Sequence, residues 1–476
     1  MSIIEIPVHR RTSSGHSPWG PRTWPGLRYS RAPRTALIGA ALTGLVGVFV
    51  LGRSTFGVVI TALAFVAVVL AVRRGALSVW EWVGVAGALA LASVSALRAA
   101  EWIVAMSTAL AIVVGTVVLS RAWTYTGIAL GAVLPVLLPM RVVRWTRRGA
   151  ASVDFEGPRP VRIGVVAVVT VALCVVFAAL FGAADQRFGD ALGAVTPEFD
   201  VESTVGRTVV FVLTSVGALA MAYVACNPPR FDRLAPSPRR TVRLWEWATP
   251  LGAVVALFTV FVGFQVPTLF GGQGHVLTTA GLTNAEYARQ GFWQLLAVTV
   301  LTLLVIAVTV AKAERIARRD RIALRVLLGM LCVLSMVIVA SALHRMSLYE
   351  EQYGYTTLRL FVTAVEWWLG SVFVLLLAAG VRMSGRWLPR AVGVGAVLTV
   401  LALAALNPDA YIARHNVERF EQTGRIDTFY LGGLSSDADA ELDRLPDYIR
   451  PCVQARGPVF TGDTWYLCTD PSVSVP

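Results

Sequence analysis

The residue with the most evident chemistry in this chain is Glu366, a carboxyl group set eight residues into the apolar run 358–380. At 1.5 Å per helical residue it lies ~12 Å deep, close to the ~15 Å midplane of a bilayer. An acid at that depth costs roughly 2.5–3.5 kcal/mol on insertion scales unless it is neutral or paired. Arg359, seven residues earlier, falls on the same helix face about two turns nearer the exterior. His344 and Arg345, at the end of the preceding apolar run, are placed to reach the same region. The arrangement reads either as a proton- or ligand-binding carboxylate inside a helix bundle, or as a structural glutamate kept neutral or arginine-paired between helices.

A second set of candidates lies at membrane edges. Thr283 and Glu286 stand at capping-box spacing before Phe292-Trp293, which predicts an interfacial helix leading into the next span. That helix is an anchor, or a substrate-contacting lid formed by Glu286, Tyr287 and Arg289. Upstream, the stretch 183–205 carries Asp185, Asp190, Glu198, Asp200 and Glu202. Glu198-Phe-Asp200 resembles the metal-binding acid pairs of membrane glycosyltransferases. Those pairs belong in a first external loop, which here is only Arg53-Ser-Thr55, so a solvated acidic loop is the simpler reading. Gly271-Gly-Gln-Gly274 is a turn and not a phosphate cradle. His275 and His415 have no ligand-type neighbours in sequence, and five cysteines show no metal-ligand spacing. No cofactor and no metal is called for, and without a nucleophile or nucleotide motif the reading leans away from an enzyme.

Such side chains have to be held by membrane-spanning helices. Of 476 residues, 56% are hydrophobic and 15% charged, against ~25% charged in a soluble domain. Mean hydropathy is +0.65. So little polar surface cannot cover a water-facing globule, which excludes soluble-enzyme and disordered classes. A span needs roughly 20 apolar residues. Candidates run at 37–51, 56–72, 79–97, 102–120, 163–182, 206–226, 247–268, 291–311, 322–343, 358–380 and 391–406. A further stretch, 122–140, holds Pro135 and Pro139 and runs into Arg141, Arg144, Arg147 and Arg148.

Loop charge sets the sides. The loops 141–162, 227–246, 312–321 and 382–390 carry nineteen basic residues, and the alternating loops 183–205, 269–290 and 344–357 carry three. The first set is therefore cytoplasmic, as is the N-terminal tail with Arg10, Arg11, Arg22, Arg28, Arg31 and Arg34. With residues 1–36 and 141–162 both inside, an even number of crossings separates them. The segment 122–140 is then interfacial or re-entrant. The expected architecture is all-α, a polytopic bundle of about eleven spans with the N-terminus inside and the C-terminus outside. The net charge of +13 is explained by orientation and anionic lipid, with no nucleic acid needed. Trp-Glu-Trp triplets at 80–82 and 245–247 hint at an internal repeat, although tryptophan is common at membrane edges anyway.

Residues 407–476 reverse the charge balance, with eleven acids against six arginines. Asn407-Pro408 predicts a helix start with Asn407 as cap and Pro408 in the first turn. A second helix is expected after Ser435-Ser436, with Asp437 and Asp439 at its positive end, stopping before Pro446. Cys452 and Cys468 lie beyond it and are expected to form a disulfide outside the cytoplasm.

Four stretches carry a resemblance. They are Leu180-Phe-Gly-Ala-Ala-Asp185; Leu269-Phe-Gly-Gly272 with Gly281–Gln294; Tyr349-Glu-Glu-Gln-Tyr-Gly-Tyr-Thr-Thr-Leu-Arg359; and Asn407-Pro-Asp-Ala-Tyr-Ile-Ala-Arg-His-Asn416. Together they resemble a family of bacterial multi-spanning membrane proteins known as a domain of unknown function, number four-one-seven-three, with a sister numbered four-one-five-three. The likeness covers roughly 160–445, with Asn284 where an aromatic residue is expected. It implies a polytopic bundle with a short external C-terminal segment, and no substrate or catalytic residue.

The resulting division is a basic, disordered cytoplasmic tail (1–36), an N-terminal bundle (37–148) with an interfacial or re-entrant helix near 122–148, a C-terminal bundle (149–406) that carries the resemblance and an extracytoplasmic tail (407–476). The functional expectation is a transporter-like or sensory module of the bacterial cytoplasmic membrane, in contact with the lipid bilayer. The alternatives are a membrane enzyme acting on a lipid-linked substrate at the external face and a structural subunit. The subunit reading has an envelope partner recognised through the tail; oligomeric state is not legible.

Overall fold

The computed structural model describes residues 31–52, 55–73, 75–151, 201–229, 231–234, 242–270, 292–313, 317–382, 384–454, 459–461 and 464–466. These residues are helical almost throughout. In order the helices are α1 (Arg34–Val50), α2 (Gly57–Val72), α3 (Val79–Leu97), α4 (Glu101–Ser120), α5 (Tyr125–Leu137), α6 (Pro139–Ala150), α7 (Val201–Cys226), α8 (Leu244–Phe270), α9 (Phe292–Lys312), α10 (Arg318–Tyr353), α11 (Thr357–Arg382) and α12 (Leu388–Ala405). The tail adds α13 (Pro408–Thr423), α14 (Thr428–Gly432), α15 (Asp439–Leu442) and α16 (Arg450–Gln454). It also holds a small antiparallel hairpin of β1 (Val459–Thr461) and β2 (Thr464–Tyr466).

Eight helices among the described residues are long and apolar enough to cross a membrane: α3, α4, α7, α8, α9, α10, α11 and α12. Helices α1, α2 and α5 are apolar but shorter. The expected span 163–182 lies outside the described residues. Five threonine hydroxyls inside these helices are satisfied without a partner helix: Thr43, Thr61, Thr299, Thr302 and Thr399 each donate to the carbonyl four residues back.

Two boundaries differ from expectation for clear reasons. Helix α10 does not stop at 343 but continues to Tyr353, for 36 residues in all. At 1.5 Å per residue that is ~54 Å, well beyond a ~30 Å hydrocarbon core. No glycine or proline interrupts 344–353, and the helix ends only at Gly354, where φ is +79°. The stretch 122–140 forms α5 and then α6, broken at Leu138, with Pro139 in the first turn of α6. Proline fits there because its missing N–H has no helical acceptor anyway.

The chain divides into two compact units, one of residues 1–51, 63–81 and 116–235, the other of 52–62, 82–115 and 236–476. In the first, α1 lies against α7 along a face of buried small residues, Ala36, Ala40, Gly44 and Gly47. A Cβ at Gly44 would come within 2.8 Å of the Phe211 ring, so glycine permits the close approach. Glu81 is the polar centre of this unit. It is 3% exposed and accepts from Arg73 at 2.6 Å, Arg121 at 3.1 Å and the Ser78 N–H at 2.8 Å. Glu246, in the other Trp-Glu-Trp triplet, instead accepts from the Arg243 N–H of its own helix start. The two triplets therefore serve different ends.

In the second unit α10 packs against α8, α9 and α11, and α11 against α12. A core of Trp247, Leu251, Ile306, Leu324, Leu331, Val339 and Phe373 joins them. The tail has its own core, in which Ile412, Val417, Leu431, Ala438, Leu445 and Ile449 pack with Val94, Ala100, Ile103 and Leu360.

Candidate functional site

Helices α10 and α11 form an antiparallel hairpin whose turn is Gly354-Tyr355-Thr356. Gly370 lies against Val339 and Arg359 against Tyr349, so Glu366 comes level with the stretch of α10 around Leu343. Its helix neighbours Val362 and Phe373 pack into clusters with Ile338, Ala342, Met346, Val339 and Leu331. Glu366 is 1% exposed, and neither carboxyl oxygen has a hydrogen-bond partner among the described residues. An ionised carboxylate left alone there costs several kcal/mol. A bound proton or cation removes that cost.

None of the expected companions bonds the Glu366 carboxyl group. Arg359 donates to the Gly354 carbonyl and stacks 4.2 Å above the Tyr349 ring. His344 is on an exposed face of α10, and Arg345 is half-buried. The sequence did not single out Glu350, which is 6% exposed, carries an oxygen without a hydrogen-bond partner among the described residues and feels the charge of Arg359. Its signal was present: in a helical hairpin, an acid just before the turn comes opposite an arginine just after it. Glu286, Arg289 and Asp185, with Glu198 and Asp200, lie outside the described residues.

Two of the four stretches singled out in the sequence meet at this turn. Asn416 of α13 donates to the Tyr355 carbonyl at 2.9 Å and accepts from the Tyr355 N–H at 3.0 Å. The Tyr355 ring stands edge-on to Tyr411, 5.7 Å between centroids, and His415 lies 4.7 Å from Tyr355 and 4.1 Å from Tyr411. Arg419 donates to the carbonyls of Glu351 and Gln352. The Tyr430 hydroxyl accepts from the Thr357 N–H at 2.6 Å, satisfying a free amide at the start of α11. Burial, then the nearby Glu350 charge, pushes the Tyr355 hydroxyl above its ordinary range, and Tyr411 rises for the same reasons.

The tail is tied down at a second place. Asp409 is 3% exposed; it accepts from the Trp102 indole at 3.0 Å and the Ser435 N–H at 2.9 Å. Asp437 does not serve its own helix. It accepts from the N–H groups of Ala99 and Ala100 and so caps α4. Arg98 donates to the Ala404 and Ala405 carbonyls at the end of α12. Asn407 holds the predicted cap position in a left-handed conformation, without a side-chain cap bond. Cys452, in α16, is disulfide-bonded; Cys468 lies outside the described residues. Among the described residues no three acid, histidine or cysteine side chains gather to hold a metal.

Eight helices long and apolar enough to cross a membrane, among the described residues, define a multi-pass membrane protein of the all-helical class. The chain belongs to the family described as Domain of unknown function (DUF4153), whose model matches residues 85–445. This is the number the sequence reading gave to the sister family, and the match begins well before residue 160. It takes in Glu366, the α10–α11 turn and most of the tail. No curated protein and no solved structure matches the chain.

Proposed function

We propose that this protein is a transporter-like or sensory module of a bacterial cytoplasmic membrane, in which Glu366 binds a proton or a small cationic ligand from the external side. The observation that carries the reading is the carboxyl group itself, 1% exposed with both oxygens lacking a hydrogen-bond partner among the described residues. A structural glutamate would be expected to have found a donor, as Glu81 and Asp409 have. Arg359 and Glu350 stand between Glu366 and the external end of the hairpin and are the charges a ligand would pass.

Eleven crossings, with the N-terminus inside and the C-terminus outside, remain part of this proposal. Contacts between loops support it, because each joins chain ends assigned to one side. Arg98 reaches the end of α12, the Val242 N–H donates to the Lys312 carbonyl, and Ala32 lies on Gly149. A Cys452–Cys468 disulfide belongs to the same proposal, since an external tail lies in an oxidising compartment. The folded, anchored tail also favours a second reading, a subunit that presents this surface to an envelope partner.

The test is proton occupancy of Glu366, by carbodiimide labelling or difference infrared spectroscopy across pH on purified protein, with Glu366→Gln as control. A carboxyl signal that changes near neutrality and is missing from the variant is the expected result. A silent Glu366 in well-folded protein overturns the reading and leaves the subunit role in front.

A further inference from the structure

Two basic segments far apart in sequence converge in the first unit. Gly149 of α6 lies directly on the backbone of Ala32: a Cβ at 149 would come within 2.6 Å of the Ala32 carbonyl oxygen and 2.8 Å of its nitrogen. On either side of this contact the chain presents arginines. Arg31 and Arg34 flank Ala32 and are exposed; Arg144, Arg147 and Arg148 are exposed on α6. Neither 31–38 nor 139–150 contains an acid.

The orientation of α6 is set by its other face. Val142 and Trp145 are buried with Leu138 and Tyr223 in the core of the unit, and Trp145 meets the Tyr223 ring edge-on at 5.4 Å. That leaves Arg144 and Arg147, one turn apart, facing outward beside Val143, which is 54% exposed. Both basic segments also sit at the end of an apolar helix. Arg34 opens α1, and α6 follows α5 without a loop. Each apolar helix thus carries its charge at one end, with an exposed valine among the α6 arginines.

We propose that this surface is a docking site for acidic phospholipid headgroups. The planar forks of Arg144 and Arg147 take lipid phosphates bidentately while Val143 enters the acyl boundary, and the exposed Arg31 and Arg34 of the neighbouring segment add positive charge. Orientation by positive loops accounts for how many arginines there are. It does not call for a glycine that lets two such segments touch, or for an exposed valine between them. The site is independent of Glu366.

The test is the lipid that stays with full-length protein extracted from vesicles of equimolar phosphatidylglycerol and phosphatidylcholine, read by mass spectrometry. Wild type should retain phosphatidylglycerol in excess. Each guanidinium near a charged bilayer surface is worth about fivefold, so Arg144→Gln/Arg147→Gln should lose at least that factor of enrichment. Arg144→Lys/Arg147→Lys should lose less. Should the glutamine pair fail to fold, Arg31→Gln/Arg34→Gln, outside the helix interior, reads the same loss. Unchanged enrichment in a folded glutamine variant overturns the proposal. So does enrichment that added glycerol phosphate removes at low millimolar concentration, which would mark a site for soluble phosphate.

Discussion

The carboxamide of Asn416 bonds both polar groups of the Tyr355 backbone, giving to the carbonyl at 2.9 Å and taking from the N–H at 3.0 Å. Its remaining donor capacity goes to the Ile412 carbonyl at 2.9 Å. One side chain thus supplies what a neighbouring strand would, at the turn where the chain leaves α10 and has not yet entered α11. Asn416→Ala orphans both groups of Tyr355 and should lower stability by about 2–3 kcal/mol, read as a loss of thermal stability in detergent. An unchanged melting temperature would show that water replaces the carboxamide.

Gly354 makes this arrangement possible. Its φ of +79° is left-handed, and a Cβ there would run into the Asn416 amide oxygen. Gly354→Ala should cost about 1 kcal/mol or more. In the Asn416→Ala background the added loss should be smaller, because the collision is gone. A double-mutant cycle measures the difference.

At the opposite end of the charge scale stands Glu81. Its pairing with Arg73 is almost fully buried, with side-chain exposures of 4% and 5%, whereas the Arg121 side chain is 50% exposed. Glu81→Gln should therefore destabilise by about 3–5 kcal/mol, since it strands the Arg73 charge. Arg121→Gln should cost about 1 kcal/mol or less. Equal losses would mean that the three groups act as one unit.

Glu366 predicts the reverse sign. With no described donor to lose, Glu366→Leu removes a buried polar group and should raise stability by about 1–3 kcal/mol, while abolishing any pH-dependent carboxyl signal. A less stable leucine variant would show that Glu366 has a structural partner after all.

Acid should act first on the tail. The hydrogen bond from Arg414, reinforced by Arg444, holds the Glu441 carboxyl below its ordinary value of 4.5. A lowered folded value means a contribution that is complete above pH 4.5 and lost as pH falls through the folded pKa. Unfolding of the tail, followed by tyrosine fluorescence, should become easier below pH 4.5. Glu441→Gln should flatten that dependence and lower the stability of the tail at pH 7, where the contribution it removes is complete.

The spanning helices were legible because twenty apolar residues in a row permit little else, and Glu366 was legible because it interrupts such a run. The tail clasp was not. Asp437 read only as an acid at the positive end of its own helix, and Asp409 and Asn416 only as members of the stretch 407–416. Their partners stand 307, 338 and 61 residues away, beyond any periodicity. Glu81 was hidden similarly: Arg121 lies 40 residues on, and only folding shows that the two share one end of a bundle. Helix α10 ran ten residues too far for a hydropathy reading, since polarity marks where lipid ends and not where a helix does.

The cap on α4 has a consequence for how the protein is made. The amides of Ala99 and Ala100 leave the ribosome more than three hundred residues before Asp437 arrives to accept from them, and the Trp102 indole waits almost as long for Asp409. Helix α4 therefore waits for this cap until a segment more than three hundred residues further along the chain has been made. A nascent chain stalled or cleaved before Asp409 would leave the start of α4 without either of these partners.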